Sequence, residues 1–224
     1  MKFRPRLLLT TLVLFFVLPA SATPVFTWTK LTSESDVINN GSVLRATNLG
    51  SSGQNTFNPV TLNGIDFDTD TTGLSGLTPG GGDFNTEALF VGTPMDEMLS
   101  GTWYAPGGSS SLSLTGLTAG EDYIYQMFLS NDQNGTGHAS RVTFQGQAFN
   151  LSPTIYPYGG GGYSLQVDFT ANTSSELVTF GTGSGSEVQR MQFNAFTLQG
   201  ESVPGPASLL LLIAGLAGLL IKRR

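Results

Sequence analysis

The sequence predicts an all-β protein, a single antiparallel β-sandwich of eight or more strands with an apolar helical segment at each end of the chain. Three observations carry this prediction. Short runs alternate apolar and polar residues: Tyr163, Leu165, Val167 and Phe169 interleave with Ser164, Gln166, Asp168 and Thr170, the period of a half-buried strand. Gly, Ser, Asn and Thr fill the intervals between such runs, as connecting turns require. Between the two ends no segment holds a helix-length apolar periodicity, which leaves a sandwich as the architecture that buries these strands.

Residues 1–22 open with Lys2, Arg4 and Arg6, continue apolar from Leu7 to Leu18 and close on Ala20-Ser21-Ala22. This is the pattern of a secretory signal helix passed through the Sec translocon and cleaved before Thr23. The exported domain then covers residues 23–200. Strands are expected at 25–31, 43–47, 60–67 and 112–114. Tyr123, Tyr125, Met127 and Leu129 form one face of a further strand, and Ile124 and Phe128 make its other face apolar too, which marks a central strand. Val142 and Phe144 begin another after the turn-rich residues 131–137, and strands at 163–170 and 177–180 follow. A long last strand is expected over 188–198. There Met191, Phe193 and Ala195 share one parity while Phe196 and Leu198 take the other, so a bulge is expected near Ala195. Only residues 96–99, after Pro94, look fit for a helical turn.

Residues 207–221 are Leu-rich and end at Lys222, Arg223 and Arg224. As a helix they reach about 22 Å, short of a ~30 Å hydrocarbon core, so they span a bilayer only with local thinning. The terminal cations stay on the cytoplasmic side and leave the domain outside the inner membrane. Composition bounds what that domain does. All 16 acidic residues but only four basic ones, Lys30, Arg45, Arg141 and Arg190, fall between the two end segments, a net charge of −12. Such a surface repels phosphate polymers, so no nucleic-acid partner is expected. With no cysteine, the domain holds together by packing, without disulfides or thiolate metal sites.

The C-terminal end carries a family resemblance. Val203-Pro204-Gly205-Pro206, the Leu-rich stretch with its small Ala and Gly residues, and the final Lys222-Arg223-Arg224 resemble the PEP-CTERM sorting signal of Gram-negative bacteria, with Gly205 where the family carries Glu. The resemblance implies processing by an exosortase-type membrane protease; an ordinary membrane anchor is the other reading. Asn48-Leu49-Gly50 leading into residues 60–67, and residues 114–120 leading into Tyr123, resemble pieces of jelly-roll domains of the galactose-binding-like and malectin-like kind. The second piece is also similar to the turn before a fibronectin type III strand.

No catalytic residue is predicted. His138 is the only histidine, so the usual zinc clusters do not form, and no GxSxG elbow accompanies it. Asp66, Asp68 and Asp70 alternate at the end of a predicted strand and there offer oxygen ligands to a calcium ion; the other reading is an acidic edge that discourages aggregation. The pattern is not a helical calcium loop, because Thr71 and Leu77 stand where Gly and Glu are needed. Trp103 and Tyr104, and Tyr156 and Tyr158 before the glycine run, put aromatic rings in or beside loops, where a sugar face can stack. Two function classes follow. One is a non-enzymatic exported protein of the cell surface or matrix, associated with extracellular polysaccharide. The other is a carbohydrate-binding or carbohydrate-acting protein delivered by the same route.

Overall fold

The computed structural model describes residues 22–49, 58–80, 90–104, 110–130, 140–157, 159, 161–182 and 192–201, with 78–80, 102, 104 and 182 described by backbone alone. The leader up to residue 21, including Ala20, the motif at 203–206, the apolar run at 207–221, the cations at 222–224, His138 and Tyr158 lie outside the described residues. Among the described residues no helix is long and apolar enough to cross a membrane.

In chain order the elements are β1 (Val25–Lys30), a 3-10 turn (Glu34–Asp36), β2 (Gly41–Asn48), β3 (Val60–Leu62), β4 (Ile65–Phe67), β5 (Leu74–Ser75), β6 (Thr78–Gly80), α1 (Pro94–Ser100), β7 (Thr102–Tyr104) and β8 (Ser110–Thr115). Then follow β9 (Asp122–Ser130), β10 (Ser140–Phe144), β11 (Gln147–Leu151), β12 (Gly162–Thr170), β13 (Ser175–Thr182), β14 (Gln192–Phe193) and β15 (Ala195–Glu201). Two five-stranded antiparallel sheets form the sandwich, in the orders β1-β12-β9-β15-β2 and β11-β10-β13-β8-β5. β9 is the middle strand of its sheet, as its two apolar faces predict. Between the sheets, Tyr125, Met127, Leu165, Val167, Phe196 and Leu198 meet Leu112, Leu114, Val142, Phe144, Val178 and Phe180 in one buried core. Each such side chain contributes roughly 1.5–3 kcal/mol when withdrawn from water.

The outer face of the first sheet is covered in its turn. Phe128, Ala46 and Ala195 point outward into a second cluster with Leu62, Ile65 and Phe67 of the β3/β4 hairpin and Met95, Met98 and Leu99 of α1. Thr93 caps α1, its hydroxyl accepting the Asp96 N–H at 3.3 Å, and Pro94 fills the first turn, where its missing N–H costs nothing. The connection from β1 to β2 crosses this face as a strap. Gln126 holds it, accepting the Ile38 N–H at 2.9 Å and donating to the Asp36 carbonyl at 2.8 Å.

Two strand predictions need correction. Residues 60–67 are a two-strand hairpin, since Asn63 (φ 48°) and Gly64 (φ 76°) make a left-handed two-residue turn, the conformation that an Asn-Gly pair favours. Of the last strand, residues 188–191 lie outside the described residues and the rest is interrupted at Asn194: Phe193 pairs with Trp103 in a small sheet, whereas Ala195 onward pairs with β9 and β2. That break produces the parity switch, and a separate register shift falls between Leu198 and Gln199.

Candidate functional site

The end of the sandwich where β1 and β9 finish and β12 and β15 begin is organised by one buried polar side chain. Asn194, 0% exposed, accepts the Ser130 N–H on Oδ1 at 2.7 Å. Its Nδ2 donates to the carbonyls of Leu99, at 2.9 Å, and Gly101, which fixes the end of α1. Its backbone bridges as well, the N–H donating to Phe128 O at 3.0 Å and the carbonyl accepting from Leu49 N at 2.7 Å. On the far side of Ser130 the carbonyl accepts the Tyr156 hydroxyl at 2.6 Å. Asn194 thereby sets Phe193, the cross-strand partner of Trp103, and Tyr156 at the same end of the molecule.

Of the four aromatics expected as sugar platforms, Tyr156 is corrected outright. It is 1% exposed, and burial, then the neighbouring Tyr163, pushes its phenol well above the ordinary value. A ring so enclosed supports a surface but cannot present one. Trp103 is half-buried and packs against the main core; the side chains of Tyr104 and Tyr158 are not described.

Three other rings, Phe26, Trp28 and Phe149, are likewise half-buried against the main core, and they gather at one flank. Phe26 and Trp28 stand two apart on β1, at one edge of the first sheet, and Phe149 stands on β11, at the matching edge of the second. Phe149 bridges the two edges, with ring centroids 5.8 Å from Phe26 and 6.1 Å from Trp28. Trp28 lies flat on Tyr163, centroids 5.1 Å apart and planes 9° from parallel, and meets Tyr156 edge-on at 5.7 Å. Its Nε1–H donates to the Ile155 carbonyl at 3.1 Å, so the indole is held by two rings and a hydrogen bond. The result is an aromatic ledge along one flank, flanked by Ile155, which is 36% exposed. The sequence marks Phe26 and Trp28 only as part of a strand; their place on an edge strand leaves them half-buried rather than enclosed.

Asp66, Asp68 and Asp70 do not converge. β4 ends at Phe67, and each carboxylate is engaged separately: Asp66 by the Thr61 hydroxyl (2.7 Å), Asp68 by the Thr47 hydroxyl (3.0 Å), Asp70 by the Thr72 hydroxyl (2.6 Å). Hydrogen bonds from Thr72, first its hydroxyl and then its N–H, hold the Asp70 carboxyl below the usual range, with Arg45 adding to this. Among the described residues no group of three acidic or histidine side chains is placed to hold a metal ion. The segment closes a sheet edge instead, Asp68 bridging in parallel to Thr47 on β2 and exchanging backbone bonds with Ala46 and Asn48.

No family model matches the sequence, and no curated protein does. Solved structures match the fold. The chain is similar to the ANX2 ectodomain from Arabidopsis thaliana, with TM-score 0.52 and 11% identity over 73% of this chain and 52% of that one. It is also similar to a chain of the complex of the plant peptide RALF23 with FER and LLG2, with TM-score 0.51 and 9% identity over 70% and 48%. A third match is the CBM22-1 xylan-binding domain of Paenibacillus barcinonensis Xyn10C, with TM-score 0.40 and 12% identity over 75% and 100%. The chain spans about half the length of the two plant chains. At such identities the likeness is one of fold, a two-sheet jelly roll.

Proposed function

We propose that this chain is an exported, non-enzymatic protein of the cell surface or extracellular matrix whose sandwich binds carbohydrate on the Phe26–Trp28–Phe149 ledge. The observation that carries the reading is the ledge itself. Buried Tyr156 and Tyr163 hold Trp28, and Phe149 lies against both Trp28 and Phe26 at the half-buried flank; a preset aromatic surface takes the apolar face of a sugar ring with little loss of side-chain entropy. Stacking of this kind needs no metal. The fold shared with an ectodomain supports a place outside the cytoplasm. Delivery follows from the two ends of the chain: the Sec translocon accepts residues 1–22, residues 207–221 hold the protein in the inner membrane, and an exosortase-type protease cuts near Val203 to Pro206. Extracellular polysaccharide is then the partner.

Glycan-array binding of the mature exported protein tests this. Wild type is expected to retain a set of glycans, and Trp28→Leu, which keeps apolar volume but removes the π face, to weaken them about tenfold, the equivalent of ~1.4 kcal/mol. Leu177→Ala, on a strand of the opposite sheet, should bind as wild type. Absence of any bound glycan, or full binding by Trp28→Leu, would overturn the proposal.

A further inference from the structure

At the end of the sandwich opposite the Asn194 node, the chain's own entry point lies in an acidic cleft. The cleft holds about 200 Å³ and is lined by Ala22, Thr23, Asp122, Asp168, Thr170 and Glu201, among others, with three carboxylates and no Lys or Arg in its walls. Sheet register explains the convergence. Val25 pairs with Asp168 and Asp168 with Ile124, while Thr170 pairs with Asp122 one row further on. Gly200 of β15 pairs with Tyr123, which places Glu201 in the row of Asp122. Thr23, two residues before the first paired residue of β1, lines the cleft together with Thr170, Asp122 and Glu201.

The carboxylates have only neutral neighbours among their described hydrogen bonds: the Thr170 hydroxyl donates to Asp122, and the Gln166 amide to Asp168 at 2.6 Å. Burial, then the charges of Asp122 and Asp168, holds the Glu201 carboxyl above its ordinary value, as befits a cleft short of positive charge. A second cleft touches the same residues, lined by Ala22, Thr23, Pro24, Gln145, Gln147 and Asn172; it is neutral and offers a cation nothing comparable.

We propose that removal of residues 1–22 creates the missing cation in place: the new α-ammonium of Thr23 ion-pairs with Asp168 and Asp122 in this cleft, with Glu201 as its third wall, and locks β1 to the sheet. The inference rests on the export reading, because only cleavage before Thr23 frees that amine. Peptide hydrolysis supplies it with no other reactant: water adds across the Ala22–Thr23 bond, Ala22 leaves with the leader as a carboxylate, and the Thr23 nitrogen takes a proton. Before cleavage the same nitrogen is a neutral amide, and the cleft keeps its unbalanced charge.

The mature protein recovered from the exported pool provides the test. N-terminal sequencing is expected to read Thr23-Pro24-Val25. Reductive ¹³C-methylation, which preserves the amine charge, then allows its titration to be followed by NMR. The α-amine is expected to hold its proton about tenfold more tightly than in the Asp122→Asn, Asp168→Asn double variant. The double variant should keep its fold, since it removes like charges. An amine that titrates alike in the two proteins overturns the latch and leaves the export reading standing. A terminus at another residue overturns both.

Discussion

Asn194 shows how one side chain sustains a site that it does not enter. It satisfies the Ser130 N–H and two carbonyls at the end of α1, all within the core. Replacing it with Ala removes the Asn194 partner of the Ser130 N–H and of the Gly101 carbonyl, a penalty of about 1–3 kcal/mol apiece when unrelieved, while the Leu99 carbonyl keeps the Ser130 hydroxyl at 3.0 Å. Asn194→Ala is therefore expected to cost about 3 kcal/mol in urea unfolding, and Tyr156→Phe, which deletes the bond to Ser130 O, about 1 kcal/mol. The sequence around Asn194 discloses an irregularity, the parity switch between Phe193 and Phe196, but not its cause. The partners stand 64 and 95 positions away, and no local pattern ties them together. The same blindness affects the aromatics: the sequence offers Tyr156 as a platform and Trp28 only as part of a strand, and only the assembled sheet edges decide that Tyr156 is buried while Trp28 is half-buried at the flank.

Among the elements, the β3/β4 hairpin was legible and is easily misread. Its Asn-Gly turn is a strong local signal, yet apolar residues continue on both sides of it, so residues 60–67 pass for one strand. Asn63 also ties the hairpin to the strap, donating to Val37 O at 2.7 Å while its own carbonyl accepts from Asn39 at 2.7 Å. Gly64→Ala forces a side chain into φ +76° with its Cβ 3.3 Å from Asn39 Nδ2, and should lower stability by roughly 1 kcal/mol. Gly41→Ala should be worse, for its Cβ would lie 2.1 Å from the Gly200 carbonyl oxygen. Backbone cannot yield as a side-chain tip does, so β2 must separate locally from β15. Faster hydrogen exchange confined to residues 41–43 and 199–201 is the expected readout. The central place of β9 could be read from its two apolar faces, whereas its partners, β12 and β15, follow from pairings across 32 or more positions that alternation alone does not assign.

At the scale of the whole molecule, the strap joins opposite edges of the first sheet, and Asp36 shapes it. Burial raises the Asp36 carboxyl, but hydrogen bonds from the N–H groups of Thr32 (2.6 Å) and Ser33 (3.0 Å), with the Thr32 hydroxyl, more than offset this and leave it below 3.8. A carboxyl depressed by folding stabilises the native state above its unfolded value and ceases to do so as pH falls through the folded one. Thermal unfolding should therefore show Asp36→Asn less stable than wild type at pH 7, with the gap closing as pH falls below about 3.8. An unchanged gap at acid pH would place the effect elsewhere. The fold class and its acidic character are global properties that composition and alternation convey; the aromatic flank and the terminal cleft depend on which strands become edges, and that is settled only when both sheets close. The cleft also brings Thr23 and Glu201 into the walls of one cavity, so the described domain starts and stops at nearly the same place. A short Gly-Ser bridge between those residues, with new ends opened elsewhere, should give a circular permutant that folds. By the same geometry, the domain can be set into a loop of another protein as a self-contained insert.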